Sequence, residues 1–212
     1  MNPYYPIFLN LDGRKCVVAG GGPVALRKVA ALLERHADVT VISPRLCAGL
    51  GKLACDGKIR IIHRHYRAGD LKGAFIAVVA TSNQAINLKA AEEAKNKKIL
   101  VNVADNPRQS DFIVPSIVSR GSFAIAISTG GKSPALAKKS RTRLEIEFGT
   151  EYAALALLIE EVRHEIKKRR IKVSSHTWQE AIDLDSMIEM IKQGQPEKAR
   201  DNLLQKLQRR HS

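Results

Sequence analysis

The stretch Ala19-Gly20-Gly21-Gly22-Pro23-Val24-Ala25 combines residue types that suit a phosphate ligand. Read as GxGxxA, it places Gly20, Gly22 and Ala25 between an apolar run and a helical pattern, the context a dinucleotide fingerprint requires. Gly20 permits a tight turn, Gly22 lets a pyrophosphate approach the backbone, and Ala25 lets a helix pack close to a sheet. Pro23 suits a first helical position, where its missing N–H would have had no partner. The free N–H groups of such a helix end favour phosphate charge. The competing reading is a tight strand–helix connection with no ligand. The acidic residue expected about 20 positions later is absent, and Ser43-Pro44-Arg45 stands there instead. Ser43 offers a hydroxyl to a ribose and Arg45 suits a 2′-phosphate, so this turn leaves both NAD and NADP open. Gly20, Gly22, Pro23, Val24, Ser43, Pro44, Arg45 and Thr81 are the candidate cofactor contacts.

Asp105 is the only carboxylate in the polar loops that should follow the strands. It lies in Asn102-Val103-Ala104-Asp105-Asn106-Pro107, just past an apolar run, a place suited to a general acid or base. An equally good reading makes it a cap of the turn before Pro107. A second polar group is Ser128-Thr129-Gly130-Gly131-Lys132-Ser133-Pro134, where glycines, hydroxyls and a lysine precede a helix start. That combination suits an anion, although it does not match the P-loop pattern GxxxxGK[ST]. Its bland alternative is a flexible loop with an ordinary cap at Ser133. His63 and His65 read as solvated edge residues rather than metal ligands, and no metal ligand is assigned. Lys167–Arg170 is expected to be a solvated helix end. Tyr152, Leu155, Leu158, Ile159 and Val162, at helical spacing, read as core or dimer seam.

The elements that must position these groups alternate in type. Strands are expected over 15–19, 38–42, 58–63, 74–80 and 100–103, and helices over 23–36, 45–55 and 83–97. The 74–80 run is apolar throughout, as a central parallel strand covered on both faces should be. Such alternation predicts an α/β domain on a parallel, Rossmann-like sheet. Extended segments at 112–118 and 122–128 follow, separated by Ser119-Arg120-Gly121, as a hairpin or a crossed pair. Helices are then expected over 134–148, 151–170, 176–193 and 196–208. The division is a Rossmann-like domain over 1–113, a short linking β segment with a helix over 114–148, and a C-terminal helical domain over 149–212.

With 212 residues, 44% apolar and 26% charged, the chain is globular, not disordered. It has no apolar run long enough to span a membrane, and its start lacks the basic region of a signal peptide. Three cysteines without a CxxC pair argue against a disulfide scaffold and for a reducing cytoplasm. The net charge of +14 attracts polyanions. It is spread over both halves, +8 over 1–113 and +6 over 114–212. With only 5% aromatic residues, nucleic-acid stacking is disfavoured.

Taken in order, the glycine turn with its following Leu26-Arg27-Lys28, Ala80-Thr81-Ser82-Asn83, Asn102-Val103-Ala104-Asp105, Phe112-Ile113-Val114-Pro115-Ser116-Ile117 and Ser128-Thr129-Gly130-Gly131-Lys132-Ser133-Pro134-Ala135-Leu136-Ala137 resemble the precorrin-2 dehydrogenase family. This is the dehydrogenase/ferrochelatase module of sirohaem synthase. The similarity begins in Tyr5-Pro6-Ile7-Phe8-Leu9, read as a strand, runs to about Glu145 and weakens in the helical tail. It implies NAD-dependent oxidation of precorrin-2 to sirohydrochlorin in sirohaem synthesis, with iron insertion by the same pocket in some members. It also implies a homodimer joined through the β segment, Asp105 as the catalytic carboxylate, and Asn102, Ser116, Ser128, Thr129 and Lys132 as substrate contacts. A chain of this length is expected to lack the fused methyltransferase of one branch. The alternative is an NAD(H)-binding regulatory module that turns over no tetrapyrrole.

Overall fold

The computed structural model describes residues 4–209. Five apolar runs form the strands β1 (Lys15–Ala19), β2 (Asp38–Ile42), β3 (Arg60–Ile62), β4 (Ile76–Val79) and β5 (Leu100–Val103). They pair in the order β3-β2-β1-β4-β5, parallel throughout. Alternate side chains serve two cores, because successive residues of a strand point to opposite faces. Cys16, Val18, Val41 and Val78 pack with Ala25 and Val29 of α1 (Pro23–Leu33) and Leu50 of α2 (Ala48–Cys55). Val17, Ala19, Ala77, Val79 and Val101 pack with Ala90, Ala91 and Ala94 of α3 (Gln84–Asn96). Each fully buried valine or leucine stabilises this sandwich by roughly 1.5–3 kcal/mol relative to exposure.

The connections run outward from β1 on one side and from β4 on the other. The strand order therefore reverses between β1 and β4, opening a crevice beyond their carboxyl ends. Backbone bonds close the bottom of that crevice, from Gly20 N to Ile42 O (2.9 Å) and from Ala80 N to Ala19 O (2.7 Å).

The chain divides into two compact units, the first ending at Val114 and the second beginning at Pro115. The second unit opens with an antiparallel hairpin, β6 (Ser116–Arg120) and β7 (Phe123–Ile127). Five helices follow, α4 (Pro134–Glu147), α5 (Glu151–Lys168), α6 (Ser175–Ala181), α7 (Leu184–Lys192) and α8 (Pro196–Arg209). Leu155, Leu158, Val162 and Ile166 of α5 pack on Met187 of α7 and on Ala199, Leu203 and Leu207 of α8. The Arg120 guanidinium donates to the carbonyls of Glu145 (3.0 Å) and Phe148 (2.9 Å), satisfying the open end of α4. Among the described residues, no helix is long and apolar enough to cross a membrane.

Four local expectations change. The 176–193 segment is two helices, because Asp183 accepts from Ser186 N (3.2 Å) and starts α7 as its N-cap. The hairpin turn lies at Gly121-Ser122, two residues later than expected, with Arg120 paired to Phe123. Gly121 takes φ +58° at the first loop position, where a two-residue hairpin favours glycine. Helix α2 starts at Ala48 rather than residue 45, because Cys47 N is drawn to Gly21 O (2.7 Å) and holds the preceding loop extended. Tyr5–Leu9 carries no regular structure among the described residues. Of these five, Leu9 packs against the α1 side of the sheet.

Candidate active site

The glycine turn follows β1 and opens α1 at the crevice. Gly20 has φ +129°, and a Cβ there would run into the Ala80 carbonyl, so the close approach of the chain just past β1 to that just past β4 requires glycine. A Cβ on Gly21 would strike the Arg45 carbonyl and lie 2.5 Å from Ser43 Oγ, so this glycine packs the β2 loop against the turn. Gly22 differs, since a Cβ there would meet nothing within 4 Å. It is the N-cap of α1, with no side-chain cap and no acidic residue in the first turn. The first amides of α1 are thus left to a ligand, and the space beside Gly22 admits one. The residues fit a dinucleotide pyrophosphate at this end.

These groups open onto a cavity of about 600 Å³ lined by Gly20, Gly22, Pro23, Val24, Ser43, Pro44, Arg45, Thr81 and Asp105. All eight candidate cofactor contacts and the candidate catalytic carboxylate therefore meet in one place. The volume is within the range of small-molecule sites. Ser43 is 6% exposed and donates through Oγ to Arg45 O (2.6 Å), so its hydroxyl proton is already engaged. Thr81 donates to Asn87 Oδ1 (2.6 Å), fixing the loop at the start of α3. Sequence reasoning did not assign Cys47 and His65 to the site, and both line the same cavity. His65 gets there because β3 ends beside β2, a neighbourhood that no local pattern announces.

A separate cavity of about 700 Å³ lies along α3, with Tyr66, Glu93 and Lys97 in its wall. Its polar groups already satisfy one another. Glu93 accepts from Tyr66 Oη, from Gly69 N (2.8 Å) and from Lys97 Nζ (2.7 Å). Burial and the bond to Glu93 push the Tyr66 phenol far above its usual range. That arrangement is a clamp for the 66–71 loop, and the crevice with its open amides is the better ligand site.

Asp105 takes a left-handed conformation (φ +57°), which aspartate tolerates better than most residues. It is exposed and is the one carboxylate among the described residues lining the crevice. The turn around it is tied by other groups. Ser110 Oγ donates to Asn106 O (2.9 Å) and accepts from Val103 N (2.9 Å), and Asp111 accepts from Val101 N (3.0 Å). Ser110 thus ties the turn, while Asp111 ties the segment after it back to β5.

Asn102 is 7% exposed, and both atoms of its amide make a hydrogen bond. Its oxygen accepts from Lys28 Nζ (3.1 Å) and its nitrogen donates to Phe112 O (2.9 Å). In the second unit, Ser116 pairs with Ile127 in the hairpin. Ser128 accepts from Gly130 N (3.0 Å), Thr129 Oγ1 accepts from Ser133 N (2.9 Å), and Lys132 is exposed.

A doubly wound parallel sheet with an uncapped glycine-turn helix facing a cavity defines a Rossmann-like nucleotide-binding protein. Residues 7–116, just over half of the chain, match the family model described as putative NAD(P)-binding, and the chain belongs to that family. Residues 120–145 match the model of the sirohaem biosynthesis protein central region. The chain is 36% identical over 202 residues to the siroheme synthase of Thioalkalivibrio sulfidiphilus, covering 94% of this chain and 41% of that protein. It is 39% identical over 198 residues to the siroheme synthase of Nitrosococcus oceani, covering 92% and 42%. The chain thus spans about two fifths of these relatives' length. Among solved structures, SirC, a precorrin-2 dehydrogenase, superposes with a TM-score of 0.71 at 28% identity, covering 97% of this chain and 100% of that one.

Proposed function

We propose that the chain is an NAD-dependent precorrin-2 dehydrogenase that forms sirohydrochlorin in sirohaem synthesis. The observation that carries this reading is the crevice itself, where uncapped α1 amides and a single lining carboxylate, Asp105, share one cavity. The near full-length likeness to SirC supports the choice of substrate. Gly20, Gly21 and Gly22 bring the backbone up to the pyrophosphate, while Val24 and Thr81 wall the cavity. When bound, the oxidised nicotinamide supplies the hydride acceptor. One hydride and one proton leave the macrocycle, and Asp105 takes the proton. Ser128, Thr129 and Lys132 bind acetate or propionate groups of the substrate by charge-assisted hydrogen bonds. The net charge of +14 steers such a polycarboxylate toward the protein. Ser43 and Arg45 face the ribose, and NAD is the cofactor of this reading. The protein acts in the cytoplasm as a homodimer, supported by exposed Leu136 and Leu157 and by Ile146, which is 83% exposed.

The test supplies precorrin-2 anaerobically with NAD⁺ or NADP⁺, with and without Fe²⁺ or Co²⁺, and follows absorption spectra. Sirohydrochlorin with stoichiometric NADH is the expected product, and a metallated product would add chelation to the same pocket. Tight NAD⁺ binding with no tetrapyrrole turnover would overturn the enzyme in favour of a regulatory module. Asp105→Ala should lower turnover by about 10²–10⁴-fold while NAD⁺ affinity stays within about twofold.

A further inference from the structure

The second unit has a cavity of its own, of about 670 Å³, within the range of small-molecule sites. Its apolar wall is Ile159 of α5, Ile171 and Val173 of the loop that follows, and Trp178 of α6, all only partly buried against the helical core. Arg163 and Lys167 of α5 line the same cavity. They are four residues apart and share one side of the helix, a spacing that is unfavourable for like charges. The α5 dipole accounts for a cation in the last turn, such as Lys167, but not for Arg163 one turn earlier. The Arg163 guanidinium lies 5.8 Å from the centre of the Trp178 ring, which holds it at the cavity. The neighbouring acids of α5 are turned to other partners. Glu160, which also lines the cavity, lies 4.0 Å from His164 Nε2, and Glu165 accepts from Arg169 Nε (2.6 Å). Among the described residues, neither Arg163 nor Lys167 forms an ion pair. A second copy docked symmetrically on this face would bring the same cations to the opposite wall.

We propose that this cavity binds a small aromatic carboxylate, its ring against Trp178 and Ile159 and its acid group on Arg163 and Lys167. A carboxylate offers two oxygens to charge-assisted donors and relieves the repulsion between the two cations. An uncharged aromatic leaves those cations unanswered, and a wholly hydrophilic anion leaves the apolar wall uncovered. The site lies within the second unit and does not depend on the reading of the crevice.

Trp178 is the one tryptophan of the chain, so its indole N–H gives a single proton resonance that reports this cavity. The test titrates 2-naphthoate into the full chain and follows that resonance. A saturable shift is expected, with a dissociation constant below about 1 mM. 2-Naphthamide, which keeps the ring and removes the charge, should bind at least about 10-fold more weakly. Arg163 and Lys167 are exposed, so Arg163→Gln and Lys167→Gln leave the core intact. Each should weaken 2-naphthoate by about 10-fold. No saturable shift in the unaltered chain, equal affinity for acid and amide, or full affinity in a folded Arg163→Gln/Lys167→Gln protein would overturn the site.

Discussion

Two turns in this chain look alike in composition and end differently. Gly20-Gly21-Gly22-Pro23 opens α1, and Gly130-Gly131-Lys132-Ser133-Pro134 opens α4. Each brings glycines to a helix whose first residue is proline. At α4 the chain satisfies itself. Ser133 Oγ accepts from Leu136 N (3.2 Å), Thr129 Oγ1 accepts from Ser133 N, and Ser128 Oγ accepts from Gly130 N. At α1 the cap is a glycine with no side chain to offer, and open space lies beside it. A helix end is available to a ligand when its own sequence withholds a cap. The α1 end therefore reads as a cofactor seat. The α4 end reads as a self-capped loop, with Lys132 exposed beside it.

Mutations sharpen this contrast. The largest effect is expected from Gly20→Ala, which forces a side chain into the Ala80 carbonyl at a left-handed position. Unfolding in urea should show a loss of about 3 kcal/mol or more, together with lost NAD⁺ binding. Gly22→Asp separates the two properties. The new carboxylate caps α1 and keeps or raises the melting temperature. Its charge and bulk should weaken NAD⁺ at least about 100-fold by calorimetric titration, or about 2.7 kcal/mol. Retained affinity in that variant would show that the pyrophosphate does not use this end. A smaller effect is expected at α4, where Ser133→Ala should cost about 1 kcal/mol of stability and leave NAD⁺ affinity unchanged. Ser133→Gly should cost only a few tenths of a kcal/mol. A cofactor defect in either serine variant would abolish the distinction between the two ends.

The sheet was readable because a parallel strand covered on both faces is a continuous apolar run, as in Ile76-Ala77-Val78-Val79. The glycine turn was readable because its steric demands are local. The break at Asp183 was not. Apolar residues keep helical spacing on both sides of it, and the cap bond to Ser186 N decides the boundary. The start of α2 depends on the bond from Cys47 N to Gly21 O, which joins two different strand-end loops. His65 was read as a solvated edge residue, yet it also lines the cofactor cavity through the pairing of β3 with β2.

Asp105 shows both sides of the matter. Its position past an apolar strand marked it as a candidate, and the same position allowed a turn cap. Only the folded chain bears on the choice, since Ser110 ties the turn and Asp105 lines the crevice. The bond from Lys28 Nζ to Asn102 Oδ1 carries no mark in sequence, because the two residues meet only where α1 packs beside β5.

Residue order alone thus determined the alternation of strand and helix, the glycine turn and a carboxylate at a strand end. These follow from burial periodicity and backbone sterics over a few neighbouring residues. Tertiary structure decided which helix end stays uncapped within a cavity and which carboxylate lines that cavity. Those outcomes depend on hydrogen-bond partners and charges brought together from distant parts of the chain, and only packing selects them.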